Sequence, residues 1–229
     1  MTRNRDSTTA DFEPPTGSPT DQTDASSERL DPATLAEDPG VDVATSVYPH
    51  SDADHCEADA TGRAILGLTR DDGAALLAVN DEAGHASLPN ATVAPDETFR
   101  AAGRAEVEDV LGAPVTVGDP VAVRRVEHYT TDDPDAVGDA EAFDAGDATP
   151  HNVTHHVVFE ASLAAEAGSD RQADPSDAGG GPSDAEGDPT VPAPTVERDD
   201  WEVDWYHEVP AAVPDEDGDA VADIRRFLD

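Results

Sequence analysis

The stretch Leu88–Gly112, LPNATVAPDETFRAAGRAEVEDVLG, decides the fold class. Leu88-Pro89 favours an extended lead-in, because a residue before proline is pushed out of the helical region. Pro95, Asp96, Glu97 and Thr98 then read as a helix start. Early carboxylates suit the positive end of a helix dipole, and Thr98 or Asp96 can cap its free N–H groups. From Phe99 to Leu111 only Gly103 is a poor helix former, and Gly112 stands where a glycine commonly ends a helix. One helix over 98–111 is therefore expected. At about 100° per residue, Glu106, Asp109 and Val110 share one face of it. Gly103, Val107 and Leu111 face elsewhere, ready to pack on a sheet. Two carboxylates at i and i+3 can share a hard cation such as Mg²⁺. A solvated acidic helix shows the same spacing with no ligand at all.

Working outward, Arg63–Thr69 (RAILGLT) and Ala74–Asn80 (AALLAVN) are apolar runs of strand length joined by Arg70-Asp71-Asp72-Gly73. Asp-Gly at such a join predicts a hairpin. A second turn at 81–85 leads back to the Leu88 lead-in. Beyond the helix, Val115–Val117 reads as a brief strand and Val121–Tyr129 as a longer one, followed by an acidic loop over 130–149. His151–Leu163 (HNVTHHVVFEASL) alternates well and is the expected antiparallel partner of Val121–Tyr129. On a strand His155 and His156 point to opposite faces, so packing is the expected role for both rather than shared ligation. Trp201–Val209 restores order, and Val221, Ile224 and Leu228 mark a last helix around Ala220–Leu228.

A hairpin, a Leu-Pro lead-in, a PDET turn and a helix ending in acidic residues and glycine together resemble the Nudix hydrolase family. The family's box is G-x5-E-x7-R-E-U-x-E-E-x-G-U, where U is a bulky apolar residue. Laid on this chain without a gap, Glu97, Glu106, Val107 and Gly112 match. Ala91 replaces the first glycine, Ala105 the arginine, Asp109 the first glutamate of the pair and Val110 the second, while Ala113 stands in for the last apolar residue. Asp204-Trp205-Tyr206 and the final helix fit the way many members of the family close. The resemblance covers about residues 44–163 and 195–229.

It implies an α/β (α+β) fold, a Nudix-like α/β/α sandwich with a mixed sheet. It also implies Mg²⁺- or Mn²⁺-assisted attack of water on a nucleoside diphosphate linked to another group, the cation neutralising the pyrophosphate. Transferred by position, Glu106 and Asp109 become the metal ligands, and Glu106 with Glu97 the catalytic carboxylates. The departures weigh against that chemistry. Val110 puts an apolar side chain where the family has a carboxylate, Ala105 removes the orienting arginine, and Asn90-Ala91 brings side chains into the phosphate loop. Glu127 on the neighbouring strand is a conceivable substitute. Two readings stay open, a divergent pyrophosphohydrolase and a non-catalytic Nudix-fold module that binds a nucleotide-type small molecule or regulates a partner. An unrelated α+β domain is the third.

Composition bounds the setting. All 13 basic residues are arginine against 52 acidic residues, a net charge of −39. Acid excess without lysine resembles proteins of salt-in halophiles, where molar salt shortens screening to about 3 Å. The same charge disfavours direct binding to nucleic acid or to an anionic membrane. Cys56 alone permits no internal disulfide, and no apolar run approaches the length of a membrane span, so a cytoplasmic setting is expected. Two glycosylation sequons, at Asn90 and Asn152, then read as chance. Residues 1–40 read as a disordered acidic leader. Residues 41–229 read as the domain, interrupted at about 164–195 by a low-complexity acidic insertion. His50, His55 and Cys56 offer three zinc-type ligands, but without a second cluster the loop is expected to be solvated. Phosphate-loop, GxSxG and HExxH motifs are absent from the sequence.

Overall fold

A computed structural model describes residues 30–55, 57–133, 135–137, 143–146, 148–164, 201–214 and 218–228. Its elements run α1 (Pro32–Leu35), β1 (Asp42–His50), β2 (Gly62–Leu68), β3 (Ala75–Asn80), β4 (His85–Ser87) and β5 (Asn90–Val93). Then follow α2 (Phe99–Leu111), β6 (Val115–Thr130), β7 (Asn152–Leu163), β8 (Glu202–Tyr206) and α3 (Gly218–Arg225). The class is mixed α/β. Five strands in the order β1-β6-β7-β2-β5 form a mixed sheet, with β1 parallel to β6 and β2 parallel to β7. The antiparallel order β4-β3-β8 forms a second sheet.

Helix α2 follows the expected local chemistry. The Thr98 side chain accepts from Ala101 N at 3.2 Å, and Gly112 ends the helix in the left-handed region at φ 63°. Phe99, Val107 and Leu111 are buried and meet Leu66, Val93, Val157 and Phe159 of the large sheet in one core. Gly103 lets the helix approach closely, since a Cβ there would lie 2.2 Å from Leu66 Cδ1. Its place in a helix interior is a packing requirement that outweighs a helix-propensity cost of about 1 kcal/mol. Arg100 ties the helix to β6 by donating to the carbonyls of Val117 and Gly118. A second core joins Ile65 and Val158 to Leu77 and Val79 of the small sheet and to Val221 and Ile224 of α3. Strand β2 is thus buried on both faces, Leu66 to one core and Ile65 to the other.

The antiparallel pairing of β6 with β7 is present as expected. Three expectations are corrected. The turn at 70–73 closes, with Arg70 N bonded to Ala74 O at 2.8 Å, yet only a single bridge, Thr69 to Ala75, follows it. Strands β2 and β3 enter different sheets because the edges of β2 are taken by β7 and β5, and those of β3 by β4 and β8. The brief and long strands expected after α2 are one strand, β6, whose register shifts around Pro120, a residue that cannot donate to a ladder. Order also begins before residue 41. Asp31 caps α1 through Ala33 N at 3.0 Å, and Leu35 is buried in the first core. The rest of the expected leader, 1–29, and the expected insertion from 165 onward lie outside the described residues. Among the described residues no helix is long and apolar enough to cross a membrane.

Candidate functional site

A cavity of about 570 Å³ opens between the large sheet, the small sheet and one side of α2. Helix α2 contributes Glu106 and Val110, while β1 contributes Tyr48 and His50. Alternation along β6 sends Arg124, Val126 and His128 to the same wall. Arg63, Glu57 and Asn90 line another side, Trp201 and Val203 a third, and Asp219 and Asp223 a fourth.

The polar groups are tied to one another. Arg124 donates to both oxygens of Asp223 at 3.1 and 3.0 Å, and its Nε lies 3.2 Å from Asp219 without hydrogen-bond alignment. Asp219 also accepts from Ser46 Oγ at 2.5 Å and from Tyr48 Oη at 3.4 Å. Burial, then the Asp219 charge, pushes the Tyr48 hydroxyl up to about 12, so it stays a neutral donor. Arg63 donates to Glu57 at 2.9 Å and to Asn90 Oδ1 at 2.6 Å, and Asn90 in turn donates to Leu88 O at 2.9 Å.

Glu57, 5% exposed, is a hub that also accepts from Thr154 Oγ1 at 3.0 Å and faces His156 Nε2 at 3.3 Å. Burial alone would raise its pKa. The His156 hydrogen bond and the Arg63 guanidinium outweigh that and hold it well below the ordinary carboxylate range. Burial pushes His128 down to about 4, against the pull of Glu57, so its imidazole is neutral at pH 7.

The residues expected from sequence are spread apart. Glu106 reaches the cavity. Asp109 is exposed and does not line it. Glu97 is exposed too, and its carboxylate accepts from Ala94 N at 3.1 Å, holding the turn before α2. Val110, 4% exposed, packs into the first core as well as the cavity wall. Glu127, the conceivable substitute, faces away from the cavity, where it pairs with Arg125 and accepts from Tyr129 Oη at 2.9 Å. His155 and His156 take opposite faces, His156 buried beside Glu57.

The solvated-loop reading of His50 and His55 is corrected. With His128 they form a cluster whose nitrogens lie within 4.8 Å of one another, whereas Cys56 lies outside the described residues. Glu57, Arg63, Arg124 and His128 carried no weight in the sequence reading. For two of them a signal existed: Arg124 and His128 are polar residues at even spacing inside a strand otherwise bound for the core.

No family model matches this chain, and no curated protein matches it. Among solved structures, the solution structure of the E. coli ORF135 protein is similar over 52% of this chain and 61% of that one. Sequence identity is 18% and the TM-score 0.27, a level of likeness that carries no argument.

Proposed function

We propose that this chain is a binding module on Nudix-like lines, holding the base and ribose end of a nucleotide-type small molecule without the family's Mg²⁺ chemistry. One observation carries this reading: of the acidic pair expected to hold the cation, only Glu106 reaches the cavity, and valine occupies the next position that does. Charge supports it. Glu57, Glu106, Asp219 and Asp223 face the space against Arg63 and Arg124, both already engaged by carboxylates. Four carboxylates against two guanidiniums leave the wall with a net excess of two negative charges, which repels a pyrophosphate, so an uncharged aromatic group suits the cavity better. Tyr48 and Trp201 offer ring surface for it, and Asn90 and Tyr48 offer hydrogen bonds. The single cysteine and the acidic, lysine-free composition support a cytoplasm of high ionic strength as the setting of this proposed function.

The second reading, a divergent pyrophosphohydrolase, rests on Glu106 in the wall. An assay in molar KCl with Mg²⁺ or Mn²⁺ and a panel of nucleoside diphosphate derivatives separates the two. Release of phosphate or nucleotide no faster than in Glu106→Gln is expected. Metal-dependent turnover that Glu106→Gln abolishes would establish the hydrolase instead.

A further inference from the structure

We infer that His50, His55 and His128 form a binding site for one borderline transition-metal ion of the Zn²⁺ type at the rim of the cavity. The fold converges them from separate places. His50 ends β1, His55 stands in the turn after it, and His128 lies on β6, the parallel neighbour of β1. His50 Nε2 is 2.9 Å from His128 Nδ1, and the His50 and His55 rings stack with centroids 3.9 Å apart. The His55 and His128 rings are 4.5 Å apart at 17°. One nitrogen from each lies within 4.8 Å of the other two. Zinc–nitrogen bonds of about 2.0–2.1 Å in a tetrahedron put ligand nitrogens about 3.4 Å apart. The nitrogens are thus near ligand spacing, but the stacked rings hold their in-plane lone pairs nearly parallel, so the imidazoles must turn about their side-chain bonds to aim at a common ion.

The surroundings prepare His128 for this role. Thr154 Oγ1 donates to Glu57 Oε2 at 3.0 Å, so at 2.8 Å it accepts from His128 Nε2. That chain fixes the proton on Nε2 and leaves the Nδ1 lone pair facing His50. A carboxylate–hydroxyl–histidine relay of this kind orients and strengthens a metal-ligating imidazole. Ligation has two visible costs: the His50–His128 hydrogen bond is given up, and His55 loses a backbone partner. Glu57 N donates to His55 Nδ1 at 3.2 Å, a long bond that ligation through Nε2 would give up. His151 Nε2, 3.0 Å from His55 Nε2, stands beside the cluster on its exposed side, where a fourth ligand or water would sit.

Imidazole suits Zn²⁺, Co²⁺, Ni²⁺ and Cu²⁺, whereas Mg²⁺ and Ca²⁺ demand oxygen. The site is therefore distinct in chemistry from the carboxylate pair on α2, and it stands whether or not the cavity binds a nucleoside.

The test is a Co²⁺ titration of the full chain, chelator-treated and held in molar KCl with excess Mg²⁺ to occupy surface carboxylates. The expected result is a tetrahedral visible band that saturates at one Co²⁺ per chain and is displaced by Zn²⁺. Because loss of a group that merely orients a ligand already costs about 10–100-fold in affinity, His50→Ala and His55→Ala should each weaken binding by more than that. His207→Ala, at an exposed histidine elsewhere, should bind like the wild type. Circular dichroism checks that each variant is folded, and His55→Gln replaces any alanine variant that is not. No band at one equivalent, or a band that survives in the folded His55 variant, overturns the site.

Discussion

Transfer from molar KCl to dilute buffer is expected to unfold this chain. With 13 arginines against 52 acidic residues, there is one arginine for every four acids. Several of those arginines are already committed: Arg63 to Glu57, Arg100 to Asp119, Arg124 to Asp219 and Asp223, and Arg226 to Asp42. Acids such as Asp109 and Glu97 stand exposed on the helix and its turn. Two unit charges 10 Å apart in water repel by about 0.4 kcal/mol. Tens of such pairs rival the whole stability of a domain, about 5–15 kcal/mol. Screening decides the balance, because the Debye length falls from about 10 Å at 0.1 M to 3 Å at 1 M. A circular-dichroism titration with falling KCl should show cooperative loss of both sheet and helix signal. A spectrum and thermal midpoint independent of KCl would mean that the acidic surface is better compensated than its composition implies.

Arg124→Ala is expected to be the most damaging single substitution among the polar residues of the cavity wall. Arg124 and Asp223 are 6% and 2% exposed and joined by two hydrogen bonds that clamp α3 to β6. Removing the guanidinium strands a buried carboxylate and frees Asp219 beside it, at a cost of about 3–5 kcal/mol. Salt screens a buried pair poorly, so molar KCl should not rescue the variant. Lysine cannot reproduce the two-pronged contact, so Arg124→Lys should recover only part of the loss. The double variant Arg124→Leu, Asp223→Leu should recover more, because it removes the deeply buried carboxylate and leaves only the part-exposed Asp219 without the guanidinium. Denaturant midpoints in molar KCl measure all four chains. A loss below about 1 kcal/mol for Arg124→Ala would mean that the pair behaves as a surface ion pair.

Local signals made α2 legible, while competition for strand edges did not show in the sequence. Thr98, Glu97 and Gly112 each act within a few residues of where they stand, and the helix forms as they specify. The hairpin failed for the opposite reason. Asp71-Asp72-Gly73 specifies the turn well, but whether β2 then pairs with β3 is settled by β7 and β8, far along the chain. The break expected near Gly118-Asp119-Pro120 is real as a register shift, but pairing with β7 on both sides keeps one strand. The histidine cluster was illegible for a similar reason: His50 and His128 are 78 residues apart and meet only because β1 and β6 are parallel neighbours. Glu57 reads as one acid among many until its burial beside Thr154 and His156 is seen.

The most direct measurement of the proposed function is isothermal titration of the full chain in molar KCl with a panel of uncharged nucleosides and their diphosphates, without added divalent metal. The expected result is saturable binding of at least one nucleoside, weaker binding of its diphosphate, and loss of both in Ser87→Trp, which fills the cavity from a half-buried position on β4. Tighter binding of the diphosphate, or nucleoside binding untouched by Ser87→Trp, would contradict the account.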